Sequence, residues 1–419
     1  MMGIRPSHLA LAGLLAVPGA QAVEYKFNGD IDVRGFDRSM ATGGNQNGFE
    51  QRLRLRTDIR IQDGVSVHAG VNLINDTWRG DTSGDLKDLQ QNQPFTDGRD
   101  HRTVTLDYGY VSVPLGEGWQ LRAGRQIANW NFGITVADDR RDRIILLGPV
   151  ADGVTFLVGA DQRRKKTLDD NKDDGYLLYT GLTGRNSGWA WGALLGYYLG
   201  DDEKDATGDY ESDRFYNVRG GTLISPWVQG KVGEVELTAS AHYLGGGDAL
   251  FTNDTYAGFV RGGFDVTPAF KLEGQYFFNL NGSLIEPGFD SFSSLIHSSP
   301  RHDATATRID ALSMSGLGKG AREFEGVRRD FDRHLIAVRG TFSPSDSWQL
   351  KLAAGWVQYD GLARDLNQSE DVVFGDIQLH YHVTQSTRLW ATYGFADTAD
   401  LLPDRDSVNA VSLNLQTRF

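Results

Sequence analysis

The chain contains no cysteine, which excludes a disulfide scaffold, a zinc ribbon and a cysteine nucleophile. It also lacks a long hydrophobic run. The longest, Leu9 to Pro18, falls well short of the roughly 20 residues a membrane-spanning helix needs, in keeping with a mean hydropathy of −0.39. Proline is scarce, with 11 among 419 residues, and basic residues are outnumbered, 42 against 55 acidic ones, for a net charge of −13. Acidity in a secreted chain argues against nucleic acid as a partner. Glycine (51 residues) and aromatic side chains (11%) are plentiful, and a hydrophobic content of 40% is too high for a disordered chain. Together these features point to an all-β protein.

The first 22 residues read as a cleaved secretory signal peptide. Arg5 and His8 precede an apolar stretch from Leu9 to Val17, Pro18 breaks it, and Ala20-Gln21-Ala22 supplies small residues for cleavage. The mature chain, 23–419, shows period-two alternation throughout and no sustained helical period. Tyr25, Phe27, Ile31 and Val33 alternate with Lys26, Asn28, Asp30, Asp32 and Arg34. Leu53, Leu55, Ile59 and Ile61 alternate with Arg52, Arg54, Arg56, Asp58 and Arg60. Residues 140–148 and 218–228 do not alternate cleanly.

Connections switch between short and long. Eight are short and rich in Gly, Pro, Asp, Asn or Ser, among them Gln62-Asp63-Gly64, Pro114 to Gly118 and Gly184 to Gly188. Nine are long, near 38–48, 77–101, 129–139, 163–174, 200–216, 247–254, 281–332, 360–370 and 398–406. Such alternation is the signature of an outer-membrane antiparallel β-barrel, here of about 18 strands, with short periplasmic turns and long extracellular loops. Trp119, Trp189, Trp227 and Trp348 lie beside short turns, as an interfacial aromatic belt requires. The last strand ends on Val411, Leu413, Leu415, Thr417 and Phe419. Its aromatic carboxyl terminus looks like the signal read by the barrel-assembly machinery. A soluble β-sandwich does not run to so many strands as one unit. Expected partners are the outer-membrane lipid and lipopolysaccharide, to which the acidic stretch 201–214 can be bridged by divalent cations.

In a barrel of this kind the polar parity faces the lumen. The lumen is then predicted to carry Lys26, Arg34, Arg52, Arg54, Arg56, Arg60, Arg122, Arg219, Arg261, Lys271, Arg333, Arg339, Lys351 and Arg388. Against them stand Asp30, Asp32, Asp58, Asp107, Asp265, Glu273 and Asp376. Arg52-x-Arg54-x-Arg56 is the sharpest feature. It reads either as a pathway for an anionic solute or as a salt-bridge lattice with Asp30, Asp32 and Asp58. The loop 281–332 either constricts the pore or lies outside it. Asp169-x-Asn171-x-Asp173-x-Gly175 resembles a calcium loop but lacks the glycine and distal glutamate of an EF-hand. Ser240-x-His242 and His380-x-His382 show no third partner for catalysis or for a metal. Neither an enzyme nor a cofactor is expected.

The stretch Leu121-Arg122-Ala123-Gly124-Arg125-Gln126, preceded by Tyr108 to Val113 and a short turn, resembles the alginate-export outer-membrane porin family. Arg140-Arg141-Asp142-Arg143 fits that family's basic segment, and Arg52 to Arg56 is similar to its N-terminal part. The resemblance implies an eighteen-stranded barrel whose arginine-rich constriction, with Arg125 among its residues, passes a polyuronate. The expected function is a passive channel for an anionic polysaccharide or a small carboxylated solute. An uptake porin, or a barrel sleeve around a periplasmic partner, are the other readings.

Overall fold

The computed structural model describes residues 23–39, 45–77, 104–133, 135–164, 175–200, 221–245, 254–281, 332–360, 369–397 and 407–419. The signal peptide, the acidic stretch 201–214, the calcium-like loop and Arg219 lie outside them, as does the loop 281–332 apart from Asn281 and Asp332. The strands are β1 (Glu24–Ser39), β2 (Asn45–Arg60), β3 (Ser66–Thr77), β4 (Thr105–Gly116), β5 (Trp119–Trp130) and β6 (Val136–Ala151). There follow β7 (Val154–Arg164), β8 (Gly175–Asn186), β9 (Trp189–Gly200), β10 (Thr222–Val232), β11 (Val235–Gly245) and β12 (Thr255–Thr267). The last are β13 (Phe270–Leu280), β14 (Asp332–Ser345), β15 (Trp348–Asp360), β16 (Ser369–His382), β17 (Thr387–Asp397) and β18 (Ser407–Arg418).

Each strand pairs antiparallel with its sequence neighbours, and β1 pairs with β18, so the sheet of 18 strands closes on itself. Closure leaves no edge strand, which is what lipid demands of a sheet. The closing contact is reciprocal: Gly29 N–H donates to the Phe419 carbonyl at 2.7 Å, and Phe419 N–H donates to the Gly29 carbonyl at 3.0 Å. A side chain at position 29 would meet the Phe419 ring and the Arg54 carbonyl at 2.7 Å. The short connections work as their residues require. Ser187 and Gly188, both at positive φ (49° and 84°), form the two-residue turn whose twist matches the β8–β9 hairpin.

Alternation then sorts the faces. Phe27, Ile144 and Leu413 point outward and are 68%, 59% and 63% exposed, part of a continuous apolar exterior. Asp30, Asp32, Arg34 and Glu50 point inward and are buried. Trp119 lies over Gly148 beside Phe156, Trp189 lies over Gly230, and Trp348 packs on Tyr381 at 4.6 Å, all on the outside near short turns.

Two expectations are corrected here. Trp227 does not join the outer belt. It shares the inward parity of Leu223 and Ser225 and sits edge-on to Phe132 at 5.2 Å. The inner face of β10 mixes Leu223 and Trp227 with Ser225 where the protein covers it, so its sequence pattern carries no clear facing. The region 129–139 is likewise not a long loop. It is the tight tip of the β5–β6 hairpin, with only residues 131–135 between the strands.

Gly29→Val is expected to obstruct closure. Overpacking of this kind costs about 1–3 kcal/mol, and the folded, faster-migrating band on unheated denaturing gels should weaken or melt at lower temperature.

Candidate functional site: the lumen and the hairpin that crosses it

The β1–β2 register sets carboxylates directly opposite guanidiniums: Arg34 faces Glu50, Asp32 faces Arg52, and Asp30 faces Arg54. Arg34 Nε donates to Glu50 at 3.0 Å, and Arg52 Nη2 donates to Asp32 at 2.5 Å. Asp30 accepts from Arg54 Nε at 3.1 Å and Arg56 Nη2 at 2.6 Å. The lattice continues on the neighbouring strands. Asp107 holds Arg140 through two bonds of 2.7 and 3.0 Å and lies 3.6 Å from Arg54. Asp161 binds Arg143 at 3.0 and 2.8 Å and Arg141 at 3.1 Å. Seven guanidiniums thus share five carboxylates in this cluster. Such bidentate, desolvated pairs are structural: removing one partner leaves an uncompensated buried charge.

Of the other predicted lumen residues, six fall into three groups, and Arg333 is buried with its guanidinium 4.6 Å from the Phe277 ring centroid. Lys271 and Arg339 are matched by Glu236 and Glu273, at 2.6 and 2.7 Å. Arg60 is an exposed residue at the short-turn end, 3.4 Å from Glu24. Arg122, Arg261 and Arg388 donate instead to the neutral side-chain oxygens of Gln120, Gln275 and Gln416, at 3.0, 2.6 and 3.1 Å. A glutamine orients a guanidinium without cancelling its charge. Arg261 and Arg388 also lie over Phe259 and Trp390, at 5.5 and 4.5 Å from the ring centroids.

Arg125 is a correction. It has the parity of Trp119, Leu121 and Ile127 and lies on the outer wall, in a bidentate pair with Asp142 at 2.8 and 2.9 Å. The ladder through this position keeps its register, so no bulge turns the side chain inward. The arginines at 140, 141 and 143, legible in the sequence only as a basic segment, enter the lattice instead.

The β5–β6 hairpin explains why. The β4–β5 ladder stops at Gly109 and Arg125, and the β6–β7 ladder stops at Asp142 and Gln162. Beyond those points the hairpin's ladder partners are only its own two strands, as in Gln126 with Arg141 and Trp130 with Val136. It leans into the lumen and reaches the wall at β10–β12. Trp130 packs on an apolar cluster of Leu177, Tyr179, Leu194, Leu223 and Leu244 and donates through Nε1 to the Ser225 carbonyl at 3.1 Å. Asn131 Nδ2 donates to the Ser225 hydroxyl at 2.7 Å and to the Ala241 carbonyl at 2.9 Å. The docking point is prepared by Pro226, which has no N–H and lies where the β10–β11 ladder skips two residues. Thr135 completes the seat against Ser225 and His242, at 2.6 and 3.3 Å. Phe132 rests between Trp227 and Phe259. Arg140 to Asp107 bridges the seam that the departing hairpin opens beside β4.

His242 is therefore part of the hairpin's seat, while His380 stacks on Trp390 and bonds Gln378. Among the described residues no three ligands converge as a metal site would need.

A closed antiparallel barrel of 18 strands with this exterior is the architecture of outer-membrane porins. The chain is an outer-membrane-type barrel. It is similar to OccK3 (OpdO) of Pseudomonas aeruginosa, with 11% identity, 94% of this chain and 96% of that one covered, and a TM-score of 0.58. A BenF-like porin from Pseudomonas fluorescens Pf-5 matches with 11% identity, 94% and 98% coverage and a TM-score of 0.58. OccAB4 of Acinetobacter baumannii matches with 10% identity, 96% and 100% coverage and a TM-score of 0.56. At such identities the likeness establishes a shared fold. No family model and no curated protein sequence matches the chain, so the alginate-export resemblance rests on its motifs.

Asn131→Ala should leave the Ala241 carbonyl and the Ser225 hydroxyl short of a donor, at a cost of about 1–3 kcal/mol each. Loosening of the hairpin is expected to raise single-channel conductance and its noise in planar bilayers. Arg52→Ser should strand the buried Asp32 and destabilise the barrel by about 3–5 kcal/mol, read as a lower midpoint of heat-induced gel mobility change.

Proposed function

We propose that this protein is a passive outer-membrane channel that prefers anions. One observation carries the reading: among the described residues seven guanidiniums share five carboxylates in the lattice on β1, β2, β4, β6 and β7, and Arg122, Arg261 and Arg388 donate to the neutral oxygens of glutamines. Fixed positive charge along a hydrated path lowers the entry barrier for anions, and weak, exchangeable contacts let them leave. Passage needs no cofactor, and the solute need not be altered to pass. On this reading the short turns face the periplasm, the long loops face outward, and Phe419 is the feature presented to the assembly machinery.

The solute is an anion bearing carboxylates. The family resemblance favours a polyuronate such as alginate. The hairpin lying across the lumen favours a small carboxylated solute, and with it the uptake-porin reading. Both classes share recognition by guanidinium forks.

The test is the reversal potential of purified protein in a planar bilayer under a KCl gradient. Wild type should select for anions, and the triple variant Arg122→Gln, Arg261→Gln, Arg388→Gln should shift toward cations. A wild type that selects for cations overturns the proposal, as does a triple variant with unchanged selectivity. Block by oligouronate but not by monocarboxylates identifies the polymer, and the reverse pattern identifies the small solute.

A further inference from the structure

At the short-turn end of the lumen, three residues on β2 and β3 form a hydrogen-bonded relay that conduction does not require. Asp58 and His68 are register partners on these adjacent strands. Ser66 lies two residues before His68 on β3 and therefore on the same face. His68 Nδ1 is 2.5 Å from Asp58 Oδ1, and His68 Nε2 is 2.9 Å from Ser66 Oγ. The Tyr110 ring, on the next strand, stacks on the imidazole at 4.6 Å and 17° and holds its plane. Asp58 and His68 are part-exposed, at 37% and 25%, so the group can be reached from the water-filled end of the barrel.

We propose that Ser66, His68 and Asp58 form an ester-hydrolysing centre inside the channel mouth. With the carboxylate accepting from Nδ1–H, the imidazole takes the tautomer whose Nε2 accepts the Ser66 proton. That is the polarity a serine nucleophile needs. The row of residues through Ser66 carries two arginines. Arg60 is its register partner on β2, Ser112 is its partner on β4, and Arg122 faces Ser112 from β5. Arg122 lies two strands from Ser66, roughly 10 Å between backbones, within reach of an extended guanidinium. Its Nε is buried and has no partner.

The chemistry balances without a cofactor. Ser66 Oγ forms a bond to the ester carbonyl carbon while its proton passes to His68 Nε2. The carbonyl π pair moves to oxygen, as an oxyanion that the basic row stabilises. Collapse restores the carbonyl and breaks the bond to the leaving alkoxide, which takes the proton from His68. Water then attacks the acyl-serine by the same route, releasing a carboxylate and restoring Ser66. Asp58 is a positioning residue: it fixes the tautomer and stabilises the imidazolium. The substrate class is a small acyl ester, and the flanking Arg60 and Arg122 favour one carried on an anionic solute. This activity is separate from conduction and does not depend on the anion-channel reading.

The experiment uses the purified, folded full-length barrel in detergent. It is treated with a fluorophosphonate probe and analysed by peptide mass spectrometry, and hydrolysis of p-nitrophenyl acetate is followed in parallel. The expected result is an adduct on Ser66, absent in Ser66→Ala and His68→Ala. Hydrolysis should fall to background in both, and heat-dependent gel mobility should show that each variant is folded. Asp58→Asn should lower kcat at least tenfold with little change in KM and should alter the pH profile, which a purely structural role would not do. Absence of a Ser66 adduct on folded wild type, or hydrolysis by Ser66→Ala equal to wild type, overturns the proposal.

Discussion

Every backbone polar group in a lipid-embedded sheet must find a partner within the sheet, and the architecture follows from that constraint. The ladder runs through all 18 strands and is sealed where Gly29 and Phe419 exchange hydrogen bonds. Where the ladder is interrupted, a side chain takes over. Pro226 removes a donor, and Asn131 supplies one to the Ala241 carbonyl. The β5–β6 hairpin leaves β4, and the Arg140 to Asp107 pair spans the gap. The interior device is thus built from local exceptions to the rule that makes the wall.

The lumen divides into two kinds of surface. On β1, β2, β4, β6 and β7, arginines and carboxylates form a rigid lattice whose members are mostly committed to each other. On β8–β11 an apolar cluster on the inner face receives Trp130 and forms a small core within the barrel. The hairpin joins the two, tethered by charge at its base and by packing at its tip. The conspicuous Arg52-x-Arg54-x-Arg56 run is bound to carboxylates, whereas Arg122, Arg261 and Arg388 donate to glutamine oxygens.

Much of this was legible from residue order. The alternation in 25–34 and 52–61 assigned faces correctly, and Lys271, Arg339 and Arg388 lie inward as their parity indicates. Parity also placed Arg125 outside, against the motif that suggested a place in the constriction; the wall bears out parity. The signal failed where both faces of a strand meet protein. Trp227 on β10 reads as a member of the outer belt but faces inward, and the inward hairpin looked like a loop because its polar residues serve a lattice. The pairing of Asp58 with His68 was not legible, because it joins two strands whose register is invisible in a linear pattern.

The sequence by itself determined the strands, their number, their short turns and, where alternation is clean, their facing. Those properties are local: side chains alternate with period two, and glycine-containing turns bend the chain within a few residues. Only the tertiary structure decided which charges cancel, which tryptophan lines the lumen and which hairpin crosses it. Ion pairing acts over a few ångströms, and which groups come that close depends on cross-strand register and on where a ladder ends.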